Sequence, residues 1–176
     1  EKIRDVYLVP HHSDRVSVHP PVIAAIEKAE LIILGPGDLF TSILPNLIVR
    51  GVTKALQSTR APIYFVINIM TKYGETHRFK ARDFVIELEN ALQRKLDGIV
   101  YNSAIPDETL IAAYAQQKAE PVKVDKSDGW WQDRKLLAGD LLDTTGGLLR
   151  HDARKLAALI EKIAREGHIV IAVGGG

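Results

Sequence analysis

The residues best suited to chemistry begin at a glycine-containing corner. The apolar run Leu31–Leu34 predicts a strand that is buried on both faces, and Gly35-Pro36-Gly37 ends it abruptly. Asp38, Thr41 and Ser42 follow, and these are residue types that begin helices. Backbone N–H groups and the positive end of a helix dipole meet at such a corner and attract anions. The stretch therefore predicts a phosphate or nucleotide site or a structural turn, and the two interpretations are equally open.

The residues after the corner predict one helix that continues to Leu56. Pro45 suits its first turn, and Ile48 and Val52 precede Leu56 at helical spacing. The glycines match neither the dinucleotide pattern G-x-G-x-x-G nor a P-loop, because no Lys-Ser or Lys-Thr pair follows them. A ligand at this corner therefore needs binding groups from elsewhere in the chain.

Polar side chains also follow two later apolar runs. The run before Asn68 predicts a second buried strand, with Glu75 and Thr76 in the turn beyond it. The run before Asn102 predicts a further strand. If these strands are neighbours in a parallel sheet, the polar groups line one crevice beside the glycine corner. A solvated turn is the alternative for Glu75 and Thr76.

One loop near the amino end carries a cluster of metal-binding residue types. It contains His11, His12, Asp14 and His19. Such a cluster suggests a metal site, but its spacing matches no recognised ligand pattern, and a solvated or phosphate-contacting loop is the alternative. We therefore assign no residue to a metal.

The composition is that of an ordinary globular domain. The chain has 176 residues, of which 46% are hydrophobic, and a formal net charge of +1 at pH 7. These values fit one domain with a substantial core and give no reason to expect nucleic acid binding. The absence of cysteine excludes disulfides and is compatible with a reducing cytoplasm. We expect no signal peptide and no membrane span, and because the first residue is not Met we expect a piece of a longer chain.

Predicted strands and helices alternate along the chain. Helices are predicted between the strands and after the last one. The strands are predicted at residues 5–10, 31–34, 63–69, 98–102, 122–125 and 136–142. This order predicts an α/β fold, a three-layer sandwich with a Rossmann-like, doubly wound and mostly parallel sheet. Residues 1–167 are predicted to form one domain whose last helix starts after Asp152 and ends at Gly167. Residues 168–176 are predicted to add a strand and a glycine tail.

Two further features receive structural interpretations. The helix predicted at residues 81–96 carries Glu87 and Glu89 on its polar side, which is most simply a solvated face. Trp130-Trp131 lies in a polar loop, and we expect it to pack against the domain. A sugar-stacking platform, a dimer contact and a lid are the alternatives for this pair.

Three stretches of the sequence resemble one protein family. Residues 34–47 (LGPGDLFTSILPNL) and 68–76 (NIMTKYGET) closely resemble the bacterial gluconeogenesis factors, which are related to 2-phospho-L-lactate transferases. Arg150-His151-Asp152 matches a third motif of that family. The chain differs at Lys72-Tyr73, where the family usually has Gln-Pro, and at Ala153, where it often has Thr. The resemblance covers the carboxyl-terminal half of a family member.

The resemblance implies a ligand and a set of contacts. The ligand is a UDP-sugar such as UDP-N-acetylglucosamine, bound by a regulator of carbon metabolism and cell shape. Tyr114 would contact the uracil or ribose, and Arg150 the diphosphate, because an arginine ahead of a helix adds a charged fork to an anion-binding end. A core role for Tyr114 and a surface pair of Arg150 with Asp152 are the alternatives. The implied ligand-binding residues are Gly35, Gly37, Asp38, Thr41, Ser42, Asn46, Asn68, Thr71, Glu75, Thr76, Asn102, Tyr114 and Arg150.

Two other functions are open. One is a transferase that moves a phospholactyl group from a nucleotide diphosphate donor to a deazaflavin alcohol, with a divalent metal such as Mg²⁺ at the diphosphate. The other is a domain without a small ligand that binds a protein partner. No nucleophile and base can be assembled from the sequence, so no catalytic residue is assigned. The leading interpretation is a cytoplasmic UDP-sugar-binding protein, with a homodimer left open.

Overall fold

A parallel sheet forms the centre of the fold. The computed structural model describes residue 3, residues 5–11 and residues 15–173, with side-chain surroundings up to residue 166. Within these ranges the sheet lies in the order β1-β2-β3-β4, and each strand pairs in parallel with the next. The carboxyl ends of the strands therefore lie at one edge. The strands are β1 (Ile32–Leu34), β2 (Ile63–Val66), β3 (Gly98–Asn102) and β4 (Leu136–Gly139).

Helices cover both faces of this sheet. On one face, Leu47 and Leu88 pack in a cluster with Phe65. On the other face, Leu156 packs with Val66. The helices are α1 (Pro20–Lys28), α2 (Leu44–Leu47), α3 (Val52–Ser58), α4 (Ala81–Leu92), α5 (Glu108–Gln116) and α6 (Ala153–Val173). The predicted α/β fold with a mostly parallel sheet between helical layers is confirmed.

The sequence of β2 explains its central place. Ile63, Phe65 and Val66 have no exposed surface. Because successive side chains of a strand point to opposite faces, Phe65 faces α2 and α4, whereas Tyr64 and Val66 face α6. A run of apolar residues without alternation is typical of a parallel strand that is covered on both faces.

A short antiparallel hairpin connects the sheet to the last helix. Its strands are β5 (Leu142–Asp143) and β6 (Arg150–His151), and Asp143 pairs with Arg150. The side chain of Asp152 then accepts hydrogen bonds from the backbone nitrogens of Arg154 and Lys155 at 2.9 and 3.0 Å. Asp152 therefore caps α6, as the sequence predicted.

The predicted helix after the glycine corner is broken. A π-turn at Leu39–Ile43 leads into α2, and α3 begins after Gly51. Gly51 has a φ of +102°, and a Cβ atom there would lie 2.6 Å from Cγ1 of Val18. This left-handed residue interrupts the helix, so the prediction of one continuous helix was wrong.

Two predicted strands do not form. Residues 5–10 have no regular secondary structure, and residues 122–125 form no ladder. The second segment meets the chain after β2 through an isolated antiparallel bridge between Pro121 and Met70 and a hydrogen bond of 2.8 Å from the Val122 nitrogen to the Ile69 oxygen. A strand of a sheet needs a ladder of backbone pairs, and in the described ranges the first segment has no such pair and the second has only this isolated bridge.

The end of the chain also differs from its prediction. Helix α6 continues past Gly167 to Val173, where the sequence predicted a helix end and then a strand. A helix satisfies its backbone hydrogen bonds internally, whereas a strand at this place would need a partner strand. The glycine tail at residues 174–176 lies outside the described residues. In the described part of the chain, no helix combines the length and the apolar character needed to cross a membrane.

Candidate functional site

The glycine corner lies against the end of the neighbouring strand. Gly35 has a φ of +80°, and a Cβ atom at this position would lie 3.0 Å from the carbonyl oxygen of Val66. Only glycine combines this conformation with so close an approach. The Asn46 side chain beyond the corner donates a hydrogen bond of 2.6 Å to the backbone oxygen of Ser42. The corner is thus fixed at the carboxyl end of the sheet.

An ion-pair network holds the corner to the turn after β2. The Lys72 ammonium lies 2.6 Å from Asp38 Oδ2 and 2.7 Å from Glu75 Oε1. The Thr41 hydroxyl lies 3.5 Å from carboxylate oxygens of both acids. The hydrogen bond to Asp38, and next the one to Glu75, raise the pKa of Lys72. Asp38, Thr41 and Glu75 are therefore brought together, but their polar groups contact one another and Lys72.

Thr71 and Thr76 serve the backbone of the same turn. Both residues are buried. The Thr71 hydroxyl accepts a hydrogen bond of 2.9 Å from the Glu120 nitrogen. The Thr76 hydroxyl accepts one of 3.0 Å from the Lys72 nitrogen. These contacts give both threonines a structural role in shaping the turn.

Asn102 fixes the loop that follows β3. Its Oδ1 atom accepts hydrogen bonds from the backbone nitrogens of Ala104 at 3.2 Å and Leu141 at 3.0 Å. Its Nδ2 atom donates one of 2.8 Å to the Ala104 oxygen. Both ends of the amide are therefore engaged within the chain, and the residue joins the ends of β3 and β4.

Tyr114 supports the segment that carries Arg150. Its hydroxyl accepts a hydrogen bond of 3.0 Å from the backbone nitrogen of Leu149. Leu149 is buried, and the next residue, Arg150, is exposed. Tyr114 is half-buried, and its polar atom positions the neighbour of Arg150.

One small cleft brings the corner and the Arg150 segment together. It has a volume of about 170 Å³, and we call it the Arg150 cleft. Its lining residues come from the corner, the end of β2 and the hairpin: Pro36, Asn68, Ile69, Met70, Leu149, Arg150 and His151. Asn68 and Arg150, two of the predicted ligand-binding residues, thus meet at one place with Pro36 between the two glycines.

Two polar atoms of the Arg150 cleft lack partners in the part of the chain that the structure describes. Asn68 Oδ1 and His151 Nε2 are buried and have no hydrogen-bond partner among the described residues. Buried polar groups are nearly always paired in native proteins, so each such atom calls for an explanation. Arg150, by contrast, is exposed; hydrogen bonds from Thr145, and to a smaller extent the charge of Arg150, lower the pKa of Asp143.

The sequence interpretation assigned no role to His151. Burial lowers the pKa of its imidazole, and a hydrogen bond with the backbone of Ile67 opposes that shift. The ring is therefore held neutral against the end of β2. The signal available in the sequence was its place between Arg150 and Asp152, directly before a helix.

A larger pocket opens beside the ends of β2 and β3. It has a volume of about 560 Å³, and its mostly apolar lining includes Asn68, Tyr101 and Lys126. Tyr101 is 7% exposed, and its hydroxyl has no hydrogen-bond partner among the described residues. Ile105, which is 90% exposed, also lines the pocket. The volume suits a ligand of nucleotide size.

The tryptophan pair lies outside these cavities, and the histidine loop is described only in part. His12 and Asp14 fall outside the described residues, and the described ones hold no group of three metal-binding side chains. Trp131 is buried, and the Arg134 guanidinium lies 3.7 Å from the ring centre of Trp130. The prediction that the tryptophans pack against the domain is confirmed.

The fold and the cleft define an α/β protein with a candidate ligand site at the carboxyl ends of its parallel strands. Comparison with known families agrees with this class. Residues 1–142 match the family described as 2-phospho-L-lactate transferase CofD, and the chain belongs to that family. The resemblance seen in the sequence is thereby confirmed.

The curated relatives that match the chain are named gluconeogenesis factors. The chain is 36% identical over 152 residues to a putative gluconeogenesis factor of Thermotoga maritima, covering 83% of this chain and 48% of that protein. It is 33% identical over 168 residues to the gluconeogenesis factor of Bacillus subtilis, covering 94% of this chain and 52% of that protein. The chain therefore spans about half the length of these relatives.

Solved structures share the fold. Protein BH3568 from Bacillus halodurans superposes with a TM-score of 0.81 at 31% identity, covering 91% of this chain and 51% of that one. A second crystal structure of BH3568, described as that of a member of the UPF0052 family, gives the same TM-score at 32% identity. The α/β architecture is thus common to the chain and these structures.

Proposed function

We propose that the chain binds a nucleotide sugar of the UDP-N-acetylglucosamine type and acts as a cytoplasmic regulator of carbon metabolism and cell shape. The observation that carries this proposal is the Arg150 cleft, where an exposed guanidinium, the glycine corner and an unpartnered Asn68 oxygen converge. A guanidinium binds diphosphate oxygens through two parallel hydrogen bonds. The relatives named gluconeogenesis factors support this branch of the family.

The start of α6 adds to the attraction for a diphosphate. Arg150 stands three residues before the first residue of α6, Ala153. Unpaired N–H groups and the helix dipole favour negative charge at a helix amino end. Asp152 occupies some of those N–H groups, so we assign the main positive charge at the cleft to Arg150, which lines it.

Calorimetry of the full chain with UDP-N-acetylglucosamine tests the proposal. Replacing Arg150 by Ala should weaken binding by about 1.5–3 kcal/mol, or roughly 10- to 150-fold in Kd, because a charge-assisted contact is lost. Arg60→Ala is the matched control, since it removes the same charge from an exposed residue before β2, at the opposite edge of the sheet. Equal Kd values for all three proteins would remove Arg150 from the site.

A transferase is the second candidate, and the family match over residues 1–142 favours it. Asp38 and Glu75 pair with Lys72, and no group of three metal-binding side chains converges in the described ranges. We therefore derive no step through a metal. Turnover of a deazaflavin alcohol with a nucleotide diphosphate donor, without heat from UDP-N-acetylglucosamine, would establish the transferase instead.

A further inference from the structure

The unpartnered atoms of the Arg150 cleft share one chemical property. Asn68 Oδ1 is an amide oxygen and accepts hydrogen bonds only. Asn68 and His151 both line the cleft, and the His151 ring bonds to the backbone of Ile67, the residue before Asn68. The two side chains thus meet at the end of β2, beside Arg150.

The hydrogen bond to Ile67 determines what His151 offers to a ligand. Because Nε2 is the unpartnered nitrogen, the bond to Ile67 uses Nδ1. A neutral imidazole that donates from Nδ1 carries its lone pair on Nε2, so Nε2 accepts. Burial lowers the pKa of His151 and keeps the ring in this neutral form.

These groups are complementary to one class of ligand. A bare phosphate satisfies two acceptors beside a guanidinium poorly, since at neutral pH most of its oxygens are themselves acceptors and only one or two carry a proton to donate. A ligand that carries hydroxyl donors next to a phosphate satisfies all three groups. A buried acceptor without a partner has a large unfavourable desolvation free energy, so the match also provides selectivity.

We propose that Asn68 Oδ1 and His151 Nε2 accept hydrogen bonds from the hydroxyl groups of a phosphate ester whose phosphate binds Arg150. His151 is in this account a specificity-determining residue, and the ligand class is a sugar or ribose phosphate. The inference rests on the proposed function, because it assigns the hydroxyl-bearing part of the same ligand.

Nitrogen-15 NMR of the histidine side chains in the full chain tests this inference. The probes are uridine 5′-monophosphate, N-acetylglucosamine 1-phosphate and inorganic phosphate at matched concentrations. We expect at least one ester to shift the Nε2 resonance of His151 clearly more than inorganic phosphate does. The resonance is identified through its coupling to assigned backbone signals and by its loss in His151→Gln, so the test does not depend on the folding of the variant.

A binding measurement gives a second readout. For the ester that shifts the Nε2 resonance, His151→Gln should raise the Kd about fivefold to tenfold, the usual effect of one lost hydrogen bond. The Kd of inorganic phosphate should change by less than about twofold. His19→Gln, which changes an exposed histidine in the loop before α1, is the matched control and should leave both values unchanged. Equal losses for ester and inorganic phosphate would overturn the inference.

The two proposals fail in different ways. If no probe moves Nε2, or if inorganic phosphate moves it as much as the esters do, the hydroxyl inference is overturned. Heat from UDP-N-acetylglucosamine with an unmoved Nε2 overturns the inference and leaves the proposed function intact. An ester-specific shift without heat from UDP-N-acetylglucosamine supports the inference and refutes the nucleotide-sugar proposal.

Discussion

Tyr114 offers the sharpest test of how the candidate site is built. The family resemblance implies that this tyrosine contacts the ligand, whereas the structure places its hydroxyl 3.0 Å from the backbone nitrogen of Leu149. Tyr114→Phe removes this hydroxyl and keeps the ring. The substitution therefore separates support of the Arg150 segment from direct contact with a ligand.

The expected loss follows from the burial of the donor. Leu149 is 6% exposed, so its N–H group cannot turn to bulk water when the Tyr114 hydroxyl is gone. A buried donor without a partner has an unfavourable free energy of about 1–3 kcal/mol. We expect the free energy of unfolding to fall by that amount, which is about 0.5–1.5 M in the urea midpoint for a slope of about 2 kcal/mol per M.

Urea unfolding followed by tryptophan fluorescence measures this change. Tyr73→Phe is the matched control, because Tyr73 is 51% exposed and its hydroxyl lies 3.4 Å from the Lys118 ammonium. An exposed hydroxyl of this kind should contribute less than about 0.5 kcal/mol. UDP-N-acetylglucosamine binding to Tyr114→Phe should weaken only modestly, through the displaced Arg150.

One result would refute this account of Tyr114. If Tyr114→Phe unfolds at the wild-type urea concentration but loses most of its affinity for UDP-N-acetylglucosamine, the hydroxyl contacts the ligand directly. The hydrogen bond to Leu149 would then contribute nothing measurable to stability.

Two further predictions concern the sheet and the half-buried His151. Gly98→Ala should lower the free energy of unfolding by about 1–3 kcal/mol, because the added Cβ would lie 2.2 Å from Cε1 of the buried Tyr64. A thermal melt measures this change, and a loss below about 0.5 kcal/mol would contradict the packing. Because burial lowers the folded-state pKa of His151 below its ordinary 6.5, the unfolded chain takes up the proton first as the pH falls. Wild type should therefore lose stability from about pH 7 to pH 5 more steeply than His151→Gln, and parallel curves would show that His151 is solvated.

The two central strands were predictable because short, uninterrupted apolar runs mark them. Ile63–Val66 and Gly98–Asn102 combine β-branched residues with burial on both faces, and such runs leave few alternatives to a parallel sheet. The break after the corner was not predictable, because it depends on the left-handed Gly51 and on its contact with Val18, which is distant in sequence.

Long-range partners also decide which polar residues are solvated. Glu89 was predicted to lie on a solvated helix face, and this was wrong. Its carboxylate oxygens accept hydrogen bonds of 2.5 and 2.8 Å from Arg134, which lies 45 residues later and stacks on Trp130. Nothing in the helical pattern of residues 81–96 identifies that partner.

The same limit applies to the candidate site. Asn68 was predicted to bind a ligand from its residue type at a strand end, and Arg150 from the family motif. The structure brings both residues to one cleft. Asn102 has the same residue type at a similar strand end, yet its amide is occupied by Ala104 and Leu141. Which amide is open depends on loops whose paths the sequence does not reveal.

A crystal structure of the full chain with UDP-N-acetylglucosamine tests the central claim most directly. The account predicts the diphosphate within hydrogen-bond distance of the Arg150 guanidinium, with a ligand hydroxyl against Asn68 Oδ1 and His151 Nε2. A diphosphate bound away from Arg150, with the cleft at residues 149–151 unchanged, would contradict it.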